Sequence, residues 1–261
     1  MIGVILAGGT GSRLYPHTKV TNKHLLPVGN VPMVAHPFKY LLNAGISDFF
    51  IVTGGEHFAS VARLFGSGKK TCEILGFGGK INSISFGVQD GPGGIAEALG
   101  LAKRYAGNDP VVVVLGDNIF EDDYFLKSAV NNFKSGGHIF LKEVSEDQLF
   151  ETGHHQGLRR ARFGVAELEG NKVINIEEKP EKPKSRYVVT GAYIYDSRVF
   201  SVIPQLKPSG RNELEITDVN NYFIKLGEMQ ASMVNGWWTD AGTLDTYQLA
   251  NKLVHKKEIR K

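Results

Sequence analysis

The chain has 261 residues, 42% hydrophobic and 22% charged, which excludes a disordered tail, a collagen-like repeat and a disulfide-stapled miniprotein. Thirty Lys and Arg against 27 Asp and Glu leave a formal charge of +3, too slight to indicate a nucleic-acid partner. The single cysteine, Cys72, excludes an intrachain disulfide and a multi-cysteine zinc site and fits a reducing, cytoplasmic setting.

Ile2 to Ala7 is short, apolar on both faces and without a basic leader, so it is predicted to be a buried strand rather than a signal peptide. No apolar run reaches the roughly 18 residues of a membrane helix, and no membrane partner is expected. A helix is predicted from Met33 to Asn43, stopped by Gly45, then a strand at Phe49 to Val52 and a helix at Phe58 to Phe65. Ile81 to Phe86 alternates as a strand does, Ile95 to Tyr105 reads as one helix, and Val111 to Leu115 is the clearest buried strand. Strands alternating with helices predict an α/β fold with a doubly wound, mostly parallel central sheet of Rossmann-like kind.

After about Ser135 the pattern changes. Ile139 to Val144, Phe163 to Leu168, Val173 to Ile176 and Tyr187 to Tyr195 read as strands, followed by helices near Glu215 to Leu226 and Leu244 to Lys256. No linker separates the halves, so residues 1–261 are read as one domain, with a first half over 1–135 and a mixed β extension over 136–261. The polar stretch Ser145 to Arg162, with His154-His155 and Arg159-Arg160, reads as an exposed insertion.

Gly8-Gly9-Thr10-Gly11-Ser12-Arg13 follows the first strand directly, and its glycines let backbone N–H groups close around phosphate oxygens. The dinucleotide fingerprint fails, because its third glycine falls on Leu14 and Pro16 precedes any helix. A P-loop ending at Gly68-Lys69 fails as well, because position 63 is Arg63. What remains is a glycine turn with two cations. Arg13 offers a planar fork for terminal phosphates, and Lys23 a point charge for an inner one.

Asp117 lies just past the Val111 to Leu115 strand, at a strand's carboxyl end, where open α/β sheets bind ligands. A carboxylate facing a phosphate cradle repels it unless a cation lies between, and Mg²⁺ takes one or two carboxylates plus substrate phosphates. Asp240 is the candidate second ligand, with the helix cap near Thr243 as its alternative role. No Ser/His/Asp or Cys/His nucleophile site is evident, and neither Cys72 nor the His154-His155 pair is assigned chemistry.

Leu6 to Pro16 together with Lys23-His24-Leu25-Leu26-Pro27-Val28 resembles the signature of sugar-1-phosphate nucleotidyltransferases, and within them the branch that moves deoxythymidylyl groups onto glucose 1-phosphate. The likeness covers nearly the whole chain: Gln89 with Gly93 to Ala96, Gly116 to Asn118, Phe163 to Val165, Glu178 to Pro180, Val189 to Gly191, Glu213 to Asp218 and Trp238 to Gly242. It implies that the loop from Gly8 to Arg13 holds the triphosphate of dTTP, that Gln89 and Gly94 read the pyrimidine, and that Asp117 and Asp240 hold Mg²⁺. It further implies that Gly164, Glu178 and the backbone at Val189 meet the sugar, that Lys179 and Arg211 meet its phosphate, and that the chain forms a homo-oligomer. UTP is the nearest alternative nucleotide, since Gln89 would pair equally with uracil, and a catalytically silent nucleotide sensor is the alternative of another class. This chain departs from the branch at His24, where glutamine is usual, at Ala241, where threonine is common, and in the length of Ser145 to Arg162.

Overall fold

In a computed structural model, which describes residues 1–68, 71–150 and 160–259, the chain is built on a nine-stranded sheet. Its strands are β1 (Ile2–Ala7), β2 (Asp48–Gly54), β3 (Ser83–Gln89), β4 (Val111–Leu115), β5 (Gly137–Glu143), β6 (Gly164–Glu169), β7 (Lys172–Glu178), β8 (Tyr187–Tyr195) and β9 (Met229–Met233). Strands β3, β2, β1 and β4 lie side by side and run parallel. Antiparallel β8 joins β4 to β5, and β9 closes that edge parallel to β5. The β6–β7 hairpin attaches where Val188 of β8 meets Val165.

Two apolar layers hold the sheet. Ile5, Phe49, Ile51, Val112 and Val114 point into one, and Val4, Leu6, Phe50, Val52, Val111 and Val113 into the other. Burial on both faces is why these strands read as continuous apolar runs.

The principal helices are α1 (Ala35–Asn43), α2 (Phe58–Phe65), α3 (Ile95–Gly100), α4 (Ile216–Lys225) and α5 (Leu244–Ile259). Helix α1 stops as predicted: Gly45 has φ 87°, its N–H donates to the Leu42 carbonyl, and Ile46 N–H reaches back to Leu41. The single helix predicted over Ile95 to Tyr105 breaks at Gly100 and resumes at Lys103–Ala106, since glycine is a poor helix interior.

The third strand starts two residues later and ends three later than its alternation suggested, at Ser83–Gln89, which delivers Gln89 to the sheet's carboxyl end. The reading of Ser145 to Arg162 as wholly exposed is corrected at both ends. Leu149 and Ala161 are buried, and Phe150 pairs with Ala161 in an antiparallel bridge. The His154-His155 pair and Arg159 lie outside the described residues.

A ribbon decides where the site forms. Asn118–Phe120 pairs antiparallel with Trp238–Asp240, placing Asp240 opposite Asn118, and Ala241 N–H donates to the Asp117 carbonyl. Two aspartates more than a hundred residues apart in sequence therefore become neighbours.

Candidate active site

The carboxyl ends of β1, β3 and β4 open onto a cleft of about 380 Å³, closed on its far side by β6, β7, β8 and the start of α4. The nucleotide-side candidates Gly8, Gly9, Arg13, Lys23, Gln89 and Gly94 line it. So do the aspartates Asp117 and Asp240 and the sugar-side candidates Gly164, Glu178, Lys179, Val189 and Arg211. Thr10, Gly11 and Ser12 are not in the lining. Gly11 acts on the turn instead, with φ 65°, and a Cβ there would stand 3.0 Å from Thr18 Cγ2 and 3.2 Å from Lys23 Cβ.

On the nucleotide side, a Cβ at Gly8 would stand 2.8 Å from Gln89 Oε1. Gln89 Nε2 donates to the Gly94 carbonyl (3.2 Å) and to Glu97 Oε2 (3.0 Å), which fixes the amide over the loop. Gly94, at φ 94°, lets Leu214 approach. Leu214 N–H donates to the Gly93 carbonyl and Ala96 N–H to the Leu214 carbonyl, linking the two walls of the cleft.

At the centre, Lys23 Nζ donates to Asp117 Oδ2 at 2.5 Å, and Asn118 Nδ2 donates to Oδ1 at 3.0 Å. Burial opposes ionisation of Asp117, yet the Lys23 ammonium holds its carboxyl well below the usual range. Asp240 behaves oppositely. Burial pushes it up to about 6, and the Asp117 charge adds to the rise although Arg162 opposes it. A Cβ at Gly242 would lie 3.2 Å from Asp240 Oδ2, 3.7 Å from Asp117 Oδ2 and 3.5 Å from Arg13 Nη2, so all three groups border one small space.

Two hard carboxylate oxygens around one point suit a small dication that takes its remaining ligands from phosphate and water. Among the described residues no group of three or more His, Cys, Asp or Glu side chains forms a fuller metal cage. The cap role considered for Asp240 is not realised. Thr243, through its contacts with Thr246, occupies the start of α5.

His24 also borders the cleft. It is buried beneath Gly116, with Nδ1 2.8 Å from Asn22 Oδ1, and burial beside Lys23 pushes it down to about 3.

On the sugar side, Glu178 Oε2 accepts from Thr217 Oγ1 at 2.6 Å, and Gly164 leaves room for both groups. Lys179 sits at φ 46°, a left-handed conformation that costs a non-glycine residue about 1–3 kcal/mol and clusters at functional positions. Its N–H donates to the Phe163 carbonyl. Arg211 is held by three glutamates, Glu178, Glu213 and Glu215, at 3.3, 3.4 and 2.9 Å. Its fork therefore faces carboxylates.

Three residues given no role from sequence belong to this cleft. Asn118 Oδ1 accepts from Gly191 N–H (2.9 Å) and Trp238 Nε1–H (2.8 Å) while Nδ2 serves Asp117. Thr217 positions Glu178. Arg162, read as part of a solvated basic loop, instead ion-pairs with Asp240 at 2.7 Å, whereas Arg160 is exposed and pairs with Glu181. The available signal was its adjacency to Phe163-Gly164. Of the two tryptophans, Trp238 lines the cleft and Trp237 packs against the cluster under α5.

The nucleotidyl transferase family matches residues 2–257. A glucose-1-phosphate thymidylyltransferase of Neisseria meningitidis is 40% identical over 260 residues, 97% of this chain and 82% of that protein. The Mycobacterium tuberculosis protein of the same name is 36% identical over 265 residues, 100% and 84% of the two chains. Among solved structures, a Bacillus anthracis chain assigned as glucose-1-phosphate thymidylyltransferase, in complex with sucrose, superposes with a TM-score of 0.82 at 49% identity over 97% of this chain and 95% of that one. A UDP-glucose pyrophosphorylase complexed with UDP-glucose shares the fold, with a TM-score of 0.80 at 23% identity over 98% of each chain. Among the described residues no helix is long and apolar enough to cross a membrane. With its family match spanning nearly every residue and its sheet superposing on those structures, this chain belongs to the nucleotidyl transferase family.

Proposed function

We propose that this chain transfers a deoxythymidylyl group from dTTP to glucose 1-phosphate, giving dTDP-glucose and pyrophosphate. The observation that carries this reading is the convergence of Arg13, Lys23, Asp117 and Asp240 in one cleft between the glycine loop and Glu178-Lys179. The names borne by relatives at 36–49% identity support the choice of substrates.

The reaction needs no protein nucleophile. An oxygen of the ionised sugar phosphate forms a bond to the α-phosphorus, the bond from that phosphorus to the bridging oxygen breaks, and the electron pair leaves with pyrophosphate. The barrier is the meeting of two anions, so positioning and charge neutralisation supply the catalysis. Backbone N–H groups at Gly8 and Gly9, the part of the glycine loop that lines the cleft, cradle the triphosphate. Lys23 stabilises charge at the α-phosphate, Arg13 receives the leaving pyrophosphate, and Lys179 steadies the attacking phosphate. Arg211 can exchange a glutamate for that phosphate, and Glu178, Gly164 and the Val189 backbone orient the sugar. Gln89 faces the base edge. Mg²⁺ held by Asp117 and Asp240 would neutralise phosphate charge. On this reading residues 1–135 carry most of the nucleotide contacts and 136–261 the sugar contacts together with Asp240.

Pyrophosphate release measured with dTTP, UTP, CTP, ATP and GTP against several sugar 1-phosphates tests the proposal. Fastest turnover with dTTP and glucose 1-phosphate is expected. A clear preference for UTP reassigns the base, a difference for which one methyl contact supplies only about 1–3 kcal/mol, and no turnover with any pair refutes the reading.

A further inference from the structure

Both carboxylates at the centre of the cleft already hold a cation of the chain's own: Lys23 on Asp117 and Arg162 on Asp240. Arg162 is no chance surface contact. Its side chain is 16% exposed, and its guanidinium lies 4.9 Å from the centre of the Phe163 ring. Its N–H donates to the Leu149 carbonyl, and the preceding Ala161 N–H donates to the carbonyl of Pro180, just beyond Glu178 and Lys179. The Phe150–Ala161 bridge closes beside it. The backbone that leads into Arg162 is therefore pinned to the sugar wall of the cleft and sets its guanidinium on Asp240.

We propose that Arg162 is a positioning residue that occupies Asp240 in the nucleotide-free chain and prevents a divalent cation from loading there before the nucleotide arrives. The inference rests on the nucleotidyl-transfer reading for the kind of reactant, but not for the base or sugar. A guanidinium and a dication compete for the same carboxylate oxygen, so metal entering the empty cleft must first part Arg162 from Asp240. A triphosphate arriving with its cation removes that cost, because its oxygens complete the metal's ligand set and its charge gives Arg162 a replacement partner. Metal and nucleotide then bind cooperatively, and by linkage each tightens the other by the same factor. The cation enters with the nucleotide instead of waiting in the cleft.

Simple repulsion between Arg162 and the metal would weaken metal binding equally with and without nucleotide. Competition for Asp240 weakens it only without. The test is therefore Mn²⁺ affinity, read from the paramagnetic resonance of free Mn²⁺, for the wild-type chain and for Arg162→Met and Arg162→Gln. Each is titrated alone and with the unreactive α,β-methylene analogue of dTTP. Loss of Arg162 is expected to tighten Mn²⁺ binding to the nucleotide-free chain by about tenfold and to shrink the nucleotide-induced enhancement by a similar factor. Unchanged affinity without nucleotide, or equal tightening in both states, overturns the proposal.

A measurement on the unaltered chain guards against variants that fail to fold. With ¹⁵N-labelled arginine, the carboxylate-bonded Arg162 guanidinium resonance should vanish when Mg²⁺ and the analogue are added together, and its persistence overturns the proposal too. If the wild-type chain makes dTDP-glucose but the Mn²⁺ enhancement survives in both variants, only this inference fails. If it makes no nucleotide sugar, the functional reading fails, and the Mn²⁺ titrations still report on Arg162.

Discussion

Asn118 offers the sharpest test of how the fold builds the cleft. Its Oδ1 accepts the Gly191 N–H from β8 and the Trp238 indole N–H, and its Nδ2 donates to Asp117, so one amide ties two segments to a candidate metal ligand. Trp238 and Gly191 are both buried. Asn118→Ala strands two buried donors at about 1–3 kcal/mol each, a loss of about 2–6 kcal/mol. That is a large part of the roughly 5–15 kcal/mol that stabilises a typical domain.

Asn118→Asp separates structure from chemistry. It keeps an acceptor for both donors but replaces the donor to Asp117 with a second negative charge, so it should lose less stability than the alanine variant and most of its turnover. Reversible urea unfolding followed by tryptophan fluorescence, with initial rates of pyrophosphate release on the same preparations, measures both quantities. An alanine variant within about 0.5 kcal/mol of the parent, the range of ordinary surface changes, would refute the reasoning. An aspartate variant with normal turnover would refute its second half.

Other outcomes follow from the same geometry. Lys23→Met should lower turnover by at least about 10²-fold, the scale of losing one preorganised charge contact, while circular dichroism stays native; near-normal turnover removes Lys23 from the mechanism. EDTA should abolish activity and added Mg²⁺ restore it, and full activity in chelator would end the metal assignment. Gly94→Ala places a Cβ 2.4 Å from the Leu214 carbonyl oxygen at a φ that L residues rarely adopt, so KM for the nucleotide should rise and the unfolding midpoint fall; unchanged values would show that the two walls are not coupled there. His24 binds a proton near pH 6.5 when unfolded but only near 3 when folded, so the unfolded chain holds more protons between those values. Stability should therefore decline as pH falls from about 6.5 toward 3, and His24→Gln should flatten that slope in urea titrations.

The parallel half of the fold was legible because strands buried on both faces have an unmistakable pattern, and because Gly45 and the Gly8 to Gly11 turn mark their own boundaries. The short elements were not. Asn118–Phe120 and Trp238–Asp240 have three residues each, and only their mutual pairing makes them strands. Strand β9, five residues on a half-buried edge, carries an alternation too short to stand out. The site residues suggested by the glycine loop and by resemblance do line one cleft, apart from Thr10, Gly11 and Ser12. Asn118 and Arg162 went unread for a physical reason. An amide bridging three partners and an arginine at the end of a polar stretch look like any surface residues until tertiary contacts bury them.

The last helix has a further consequence. Asn251 of α5 accepts the Gly29 N–H, Tyr247 donates its hydroxyl proton to the Pro27 carbonyl, and Ala250 and Val254 pack on Val28, Met33 and Ile119. The short hairpin that follows the Lys23 turn thus leans on α5. Distance along the chain is therefore no guide to what the cleft depends on: α5 contributes nothing to its lining, yet it braces the segment that follows Lys23.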